Sequence, residues 1–182
     1  MTEQDILNLI EKDKWMMHVL KIAQAINLPD WAIGAGFVRN KVWDHLSGNV
    51  KEVVDTPDID LVYFDPRGND EEADMKLSEK LKEETRINFE VVNQYYAHGW
   101  NDLTPYKSTE NAISTWPETA TAIGVTLDKD NQLKLMAPYG IDDLISFVVR
   151  PTPAFVDRSD FLEGRVVQKN WLQKWPKIVF AT

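Results

Sequence analysis

Ile6, Leu7, Ile10, Met17, Leu20 and Ile26 recur at spacings of about 3.6, which predicts one long helix, or two with a break, over about 3–26. Thr2, followed three residues later by Asp5, is a helix-start signal of the capping-box kind. "NLPD" ends that segment, and "WAIGAG" reads as a buried strand running into a tight glycine turn. In "FVRNKVWDHL", Val38, Val42 and Leu46 stand four apart, the mark of a helix, which "SGN" closes. "DIDLVYFD" contains the apolar run Leu61 to Phe64 and predicts a second strand. "PRGNDEEADMKLSEKLKEE" predicts a turn and then a polar, solvated helix. In "RINFEVVNQYY", Ile87, Phe89 and Val91 alternate with Asn88 and Glu90, as in a half-buried strand.

The second half is less regular. "STENAISTWPE" predicts a short helix stopped by Pro117, and "TAIGVTLDKDNQLKLMAP" two strands joined by the polar turn "DKDN". "GIDDLISFVVR" reads as a short amphipathic helix halted by "RPTP", and "GRVVQKNWLQKWP" as a last helix before Pro176. The mixture predicts an α+β (α/β-like) fold, a mixed β-sheet with flanking helices in a single domain, 1–182. Within it we expect an N-terminal helical segment (1–28), a core (29–100) and C-terminal strands and helices packed on that core (101–182).

Composition narrows this picture without redirecting it. A chain of 182 residues with 43% apolar positions suffices for a core without staples. It has no cysteine, which excludes a disulfide scaffold, a thiolate zinc site and a cysteine nucleophile. No apolar run approaches the roughly 18–20 residues of a membrane span. "MTEQDILNLIEKDK" has early acids and no apolar h-region, so no signal peptide and a cytoplasmic address are expected. A net charge of −9, from 29 acidic and 20 basic residues, argues against an extended nucleic-acid surface. It leaves room for a site that takes one nucleotide, where a metal ion supplies local positive charge.

The candidate chemistry lies in three pieces in order: the strand, turn and helix "AIGAGFVRN", the strand opening "PDIDLVYF", and the strand "INFEVV". Asp58 and Asp60, two apart, project from one face of a strand. Like charges that close repel, unless a cation sits between them. Oxygen ligands of this kind hold a divalent cation, Mg²⁺ or Mn²⁺. If the strand of Glu90 lies beside that of the aspartates, Glu90 reaches the same face and completes a two-metal phosphoryl-transfer site. The helix start after Gly36 offers free N–H groups to phosphate. The plainer alternative is that Asp58 caps a turn after Pro57, with Asp60 and Glu90 merely exposed. Asp65, before Pro66, reads as a turn residue.

This arrangement resembles the nucleotidyltransferase superfamily that includes DNA polymerase β and the CCA-adding enzymes. The match is to a Gly-Gly-x-Val-Arg-Asp turn followed by D-x-D. Here it reads Gly34-Ala35-Gly36-Phe37-Val38-Arg39-Asn40 and then Asp58-Ile59-Asp60, with Ala35 interrupting the glycines and Asn40 replacing the aspartate. "FEVVNQYYAH", "ISTWPETATAIGVTL", "APYGIDDLISFVVRP" and "KNWLQKWP" look like a family of small bacterial nucleotidyltransferases of unassigned substrate. The resemblance implies a nucleotidyltransferase fold and transfer of a nucleoside monophosphate from an NTP to an unknown, small acceptor. It implies that Asp58, Asp60 and Glu90 bind metal, that Glu90 is also the general base, and that the Gly34, Ala35 and Gly36 turn contacts phosphate. Arg39 is the candidate triphosphate contact, with a surface ion pair as its alternative. The competing reading is a catalytically silent nucleotide-binding or protein-interaction module, sensor or antitoxin-like.

Other residues carry weaker signals. Arg150, Arg165 and Lys169 are candidates to complete a phosphate pocket. Asn93, Gln94 and His98 are polar residues near the end of the third strand, as compatible with structural or surface roles as with a ligand. His18 and His45 fall inside helices, and packing is the expected role of Trp116, Trp171 and Trp175.

Overall fold

The computed structural model describes residues 1–49, 51–68, 70–101 and 103–181. The opening helical pattern resolves into α1 (Glu3–Glu11) and α2 (Lys14–Ile26). Thr2 and Asp5 form the expected capping box, and Asp13 makes the break by accepting from the Met16 N–H as N-cap of α2. Strand β1 (Trp31–Gly34) turns through Ala35 into α3 (Gly36–Leu46). Strand β2 (Ile59–Tyr63), helix α4 (Glu71–Thr85) and strand β3 (Phe89–Asn93) follow as a parallel crossover unit. Short helices α5 (Gln94–Ala97) and α6 (Thr109–Ile113) lead to the hairpin of β4 (Gly124–Leu127) and β5 (Leu133–Met136).

These strands make one mixed sheet in the order β3-β2-β1-β4-β5, antiparallel throughout except for the β2–β3 pair. The alternation along each strand splits its two faces. Ile33, Leu61, Val91 and Val125 enter the main core, with Ile6, Leu20, Val38 and Trp43 from the helices. Ala32 and Val62 face the other way, into a small cluster with Ile113 and Ala122. Asp60 and Glu90 share the pleat direction of Val62 and Val92, so they emerge on this thinly covered face.

Three expectations need correction. The "GIDDLISFVVR" helix is only the turn α7 (Asp142–Ile145). Val148–Val149 instead forms β6, which pairs in parallel with β7 (Val179–Phe180). β-branched residues in a short apolar run fit a strand as well as a helix, and here pairing decides. The last helix is two helices, α8 (Ser159–Gln168) and α9 (Trp171–Lys174), separated where Asn170 adopts a left-handed φ of 56°. Helix α4 is not uniformly solvated, because Asp74 is buried. It accepts from the Tyr63 hydroxyl (2.6 Å), the Asn93 N–H (2.6 Å) and the Tyr96 hydroxyl, which ties α4 to β2, β3 and α5.

Candidate active site

The glycine turn is shaped by close approach. A Cβ on Gly36 would lie 2.8 Å from Thr56 Oγ1, so the bare glycine lets the Thr56 side chain pack directly onto the start of α3. The Thr56 hydroxyl then donates to the Asp58 carbonyl at 2.9 Å. The Asn88 amide donates to the Pro57 carbonyl (3.1 Å), and the Ile59 N–H to the Asn88 carbonyl (2.9 Å). The Asn88 bonds tie the Asp58 loop to the start of β3, and the Asn40 amide, which donates to the Asp55 carbonyl at 2.7 Å, ties it to the helix after the glycine turn.

Asp60 pairs with Glu90 in the β2–β3 register, so the two carboxylates stand side by side on one face, with Asp58 just before the strand. All three line one pocket of about 730 Å³. The C-terminal helices line the same pocket with basic residues: Arg165 on α8, Lys169 at its C-terminus and Lys174 on α9, the last paired with Asp55 at 3.1 Å. The charges press on one another. Burial, then Asp58, then Glu90 push the half-buried Asp60 carboxyl up to about 7, against the pull of Lys169 and Arg39. Glu90 is raised by desolvation and by Asp58. Lys169 is lowered, first by desolvation and then by Arg165 and Arg39.

The sequence-predicted residues divide. Asp58, Asp60, Glu90, Ala35, Gly36 and Arg39 line the pocket; Gly34 does not. A Cβ on Gly34 would meet Trp116 Cη2 at 2.4 Å, so Gly34 is the seat of the Trp116 ring. Arg39 is turned inward and is only 3% exposed. It donates to Thr121 Oγ1 (2.6 Å) and Asn40 Oδ1 (2.9 Å), and its guanidinium lies over the Trp171 ring at 4.1 Å. Its Nε is buried without a hydrogen-bond partner. Burial lowers the group to about 10, with Glu118 and Asp60 acting in the opposite sense. Arg150 is elsewhere, paired with Asp143 at 3.0 Å. Asn93 caps α5 and bonds the Asp65 backbone, and the His98 ring packs against Tyr106. His18 and His45 are exposed. Trp175 is core, while Trp116 and Trp171 combine packing with pocket lining.

Sequence reasoning missed Glu118. It is fully buried and accepts from Arg165 Nε at 2.7 Å, and its Oε2 has no partner. Nothing local in "TWPETA" marks it, because its partner lies 47 residues away.

The donor set of two aspartates and a glutamate, oxygen only and carrying excess negative charge, suits a hard divalent cation. Among the described residues, no three His, Cys, Asp or Glu side chains are drawn together as a ready-made metal cage. The carboxylates instead line an open wall. Among the described residues no helix is long and apolar enough to cross a membrane.

An NMR structure described as revealing a CCA-adding enzyme head domain is 35% identical to this chain and superposes with a TM-score of 0.88, covering 100% of this chain and 96% of that one. The Thermotoga maritima CCA-adding enzyme complexed with tRNA superposes with a TM-score of 0.58 at 17% identity, covering 97% of this chain and 42% of that one. A CCA-adding enzyme with CTP gives 0.54 at 16% identity, covering 96% and 48%. At those identities the likeness is one of fold, and the chain spans under half the length of these two enzymes. No curated protein matches the sequence. A family model described as nucleotidyltransferase matches residues 21–180, and with that span the chain belongs to the nucleotidyltransferase family.

Proposed function

We propose that the protein is a metal-dependent nucleotidyltransferase that moves a nucleoside monophosphate from an NTP to a hydroxyl of a small acceptor. The observation that carries this reading is a single pocket lined by Asp58, Asp60 and Glu90 from β2, β3 and the loop before β2, and by Arg165, Lys169 and Lys174 from the C-terminal helices. CCA-adding enzymes of the same fold are described with CTP and with ATP, which supports an NTP as donor. Asp58 and Asp60, with Glu90, are the residues that would hold Mg²⁺ or Mn²⁺, whose charge offsets that of the phosphates in the transition state.

The chain's own groups do the rest. Lys169 and Arg165 attract the β- and γ-phosphates, and the Ala35–Gly36 turn lets the triphosphate approach the backbone. Arg39 supports that side of the pocket from below, through Thr121 and Trp171. The acceptor oxygen forms a bond to the α-phosphorus. The bond from that phosphorus to the bridging oxygen breaks, and pyrophosphate leaves with its electron pair. The hydroxyl proton passes to Glu90, whose carboxylate is made more basic than usual by desolvation and by Asp58. Positioning and charge neutralisation supply most of the acceleration.

The test is pyrophosphate release with Mg²⁺, each NTP and mixed acceptors, followed by mass spectrometry for an acceptor heavier by one nucleoside monophosphate. Asp58→Asn and Asp60→Asn are expected to lower turnover by about 10²-fold or more. Turnover that survives both substitutions overturns the assignment.

A further inference from the structure

The pocket continues past the carboxylates. Beyond Asp60 and Glu90, on the same sheet face, lies a recess of about 150 Å³. Asp60, Glu90 and Trp116 line both spaces. Val62 and Val92, one pleat further along β2 and β3, line the recess with the Trp100 and Tyr106 rings. The Tyr106 hydroxyl is 2.8 Å from Thr115 Oγ1, and the Trp100 indole N–H donates to Glu71 at 2.9 Å, so both rings are held in place. Among the described residues no Lys, Arg or His lines the recess, whereas Arg39, Arg165, Lys169 and Lys174 line the larger pocket.

Three physical constraints select an occupant. In-line phosphoryl transfer places the attacking oxygen opposite the leaving pyrophosphate. With the triphosphate against the basic residues, the acceptor must approach from the far side of Asp60 and Glu90. A volume of about 150 Å³ holds a single six-membered ring of benzene size, and far less than a stem of nucleic acid. With no cationic side chain lining the recess among the described residues, a phosphate on the acceptor would find no charge partner there besides the metal, while Trp and Tyr faces offer broad contact to the C–H face of a ring.

We infer that this recess is the acceptor site. Its ligand is a hydroxylated six-membered ring that carries no phosphate and is neutral or amine-bearing. The inference rests on the nucleotidyl-transfer reading above. Val92→Phe fills the recess without touching the basic residues, and Trp100→Ala removes one wall at an exposed position.

The experiment uses the full chain, Mg²⁺ and the NTP that raises its melting temperature most. Pyrophosphate release is compared across three acceptor pools: phosphate-free cyclitols, hexoses and amino-hexoses; the corresponding sugar phosphates; and RNA 3′ ends. In parallel, indole N–H resonances are followed by NMR on adding the first pool without NTP. Turnover is expected from the first pool, at least about tenfold above the others, and to fall at least about tenfold in Val92→Phe and in Trp100→Ala. The NTP-induced melting shift should persist in both variants. The Trp100 and Trp116 signals should move while those of buried Trp43 and Trp175 stay. Preference for RNA ends or sugar phosphates, or full turnover in Val92→Phe, overturns the inference. So does an intact NTP shift with no turnover from the first pool. Absence of any NTP shift instead overturns the nucleotidyl-transfer reading, and the inference falls with it.

Discussion

Ala35 holds φ 51° and ψ −120°, a conformation that glycine adopts freely and alanine does not. Ala35 lines the pocket, so this chain carries backbone strain at the lip of its own candidate site. Ala35→Gly should raise stability by about 1 kcal/mol, read as a melting-temperature rise of roughly 2–4 °C. Gly34→Ala, one residue away, should do the reverse. The new methyl meets the Trp116 ring and approaches the Ile123 carbonyl at 3.0 Å, and such overpacking costs about 1–3 kcal/mol in a denaturant titration. Asp60 gives a pH signature. Its folded pKa of about 7 lies above its ordinary 3.8, so the folded state holds the proton more tightly. The stability this contributes is complete below about pH 4 and is lost as pH rises through about 7. Without metal, Asp60→Asn should therefore gain on wild type across that window. A stability difference that stays flat from pH 4 to 8 contradicts the assigned environment.

At the scale of elements, the parts that sequence displayed are those with local signals. The capping box at Thr2, the glycine close approach at Gly36 and the period of two around Glu90 each sit within a few residues. What stayed hidden is long-range. The parallel pairing that sets Asp60 beside Glu90 depends on the crossover through α4, and no local pattern specifies it. Trp171 was legible as a packing residue, but not as the platform for Arg39, and the Glu118–Arg165 pair joins segments distant in sequence. Asp74 shows the same limit: in a run of charges it looks solvated, yet it accepts three hydrogen bonds in the interior. Asp74→Ala removes that acceptor and should cost about 2–4 kcal/mol, measurable by urea unfolding. Trp171→Ala should cost about 3–5 kcal/mol through lost core volume. It should also weaken NTP binding, because α9 and Lys174 lose their anchor.

For the whole molecule, the governing fact is a division of charge within a chain of net charge −9. The sheet contributes acidic residues to the pocket, and the C-terminal helices contribute basic ones. Neither set alone suits a metal–triphosphate complex: one binds cations and repels phosphate, and the other does the opposite. The most direct test of this account is thermal unfolding with and without Mg²⁺ plus an NTP, for wild type and Asp58→Asn/Asp60→Asn. At a nucleotide concentration near 100 times Kd, stabilisation of about 2.7 kcal/mol is expected, or roughly 5–10 °C in Tm. The double variant should melt higher than wild type when free, since its like charges are gone, and should lose the ligand-induced shift. A wild-type chain that metal and nucleotide leave unmoved, or a double variant that responds equally, contradicts the account.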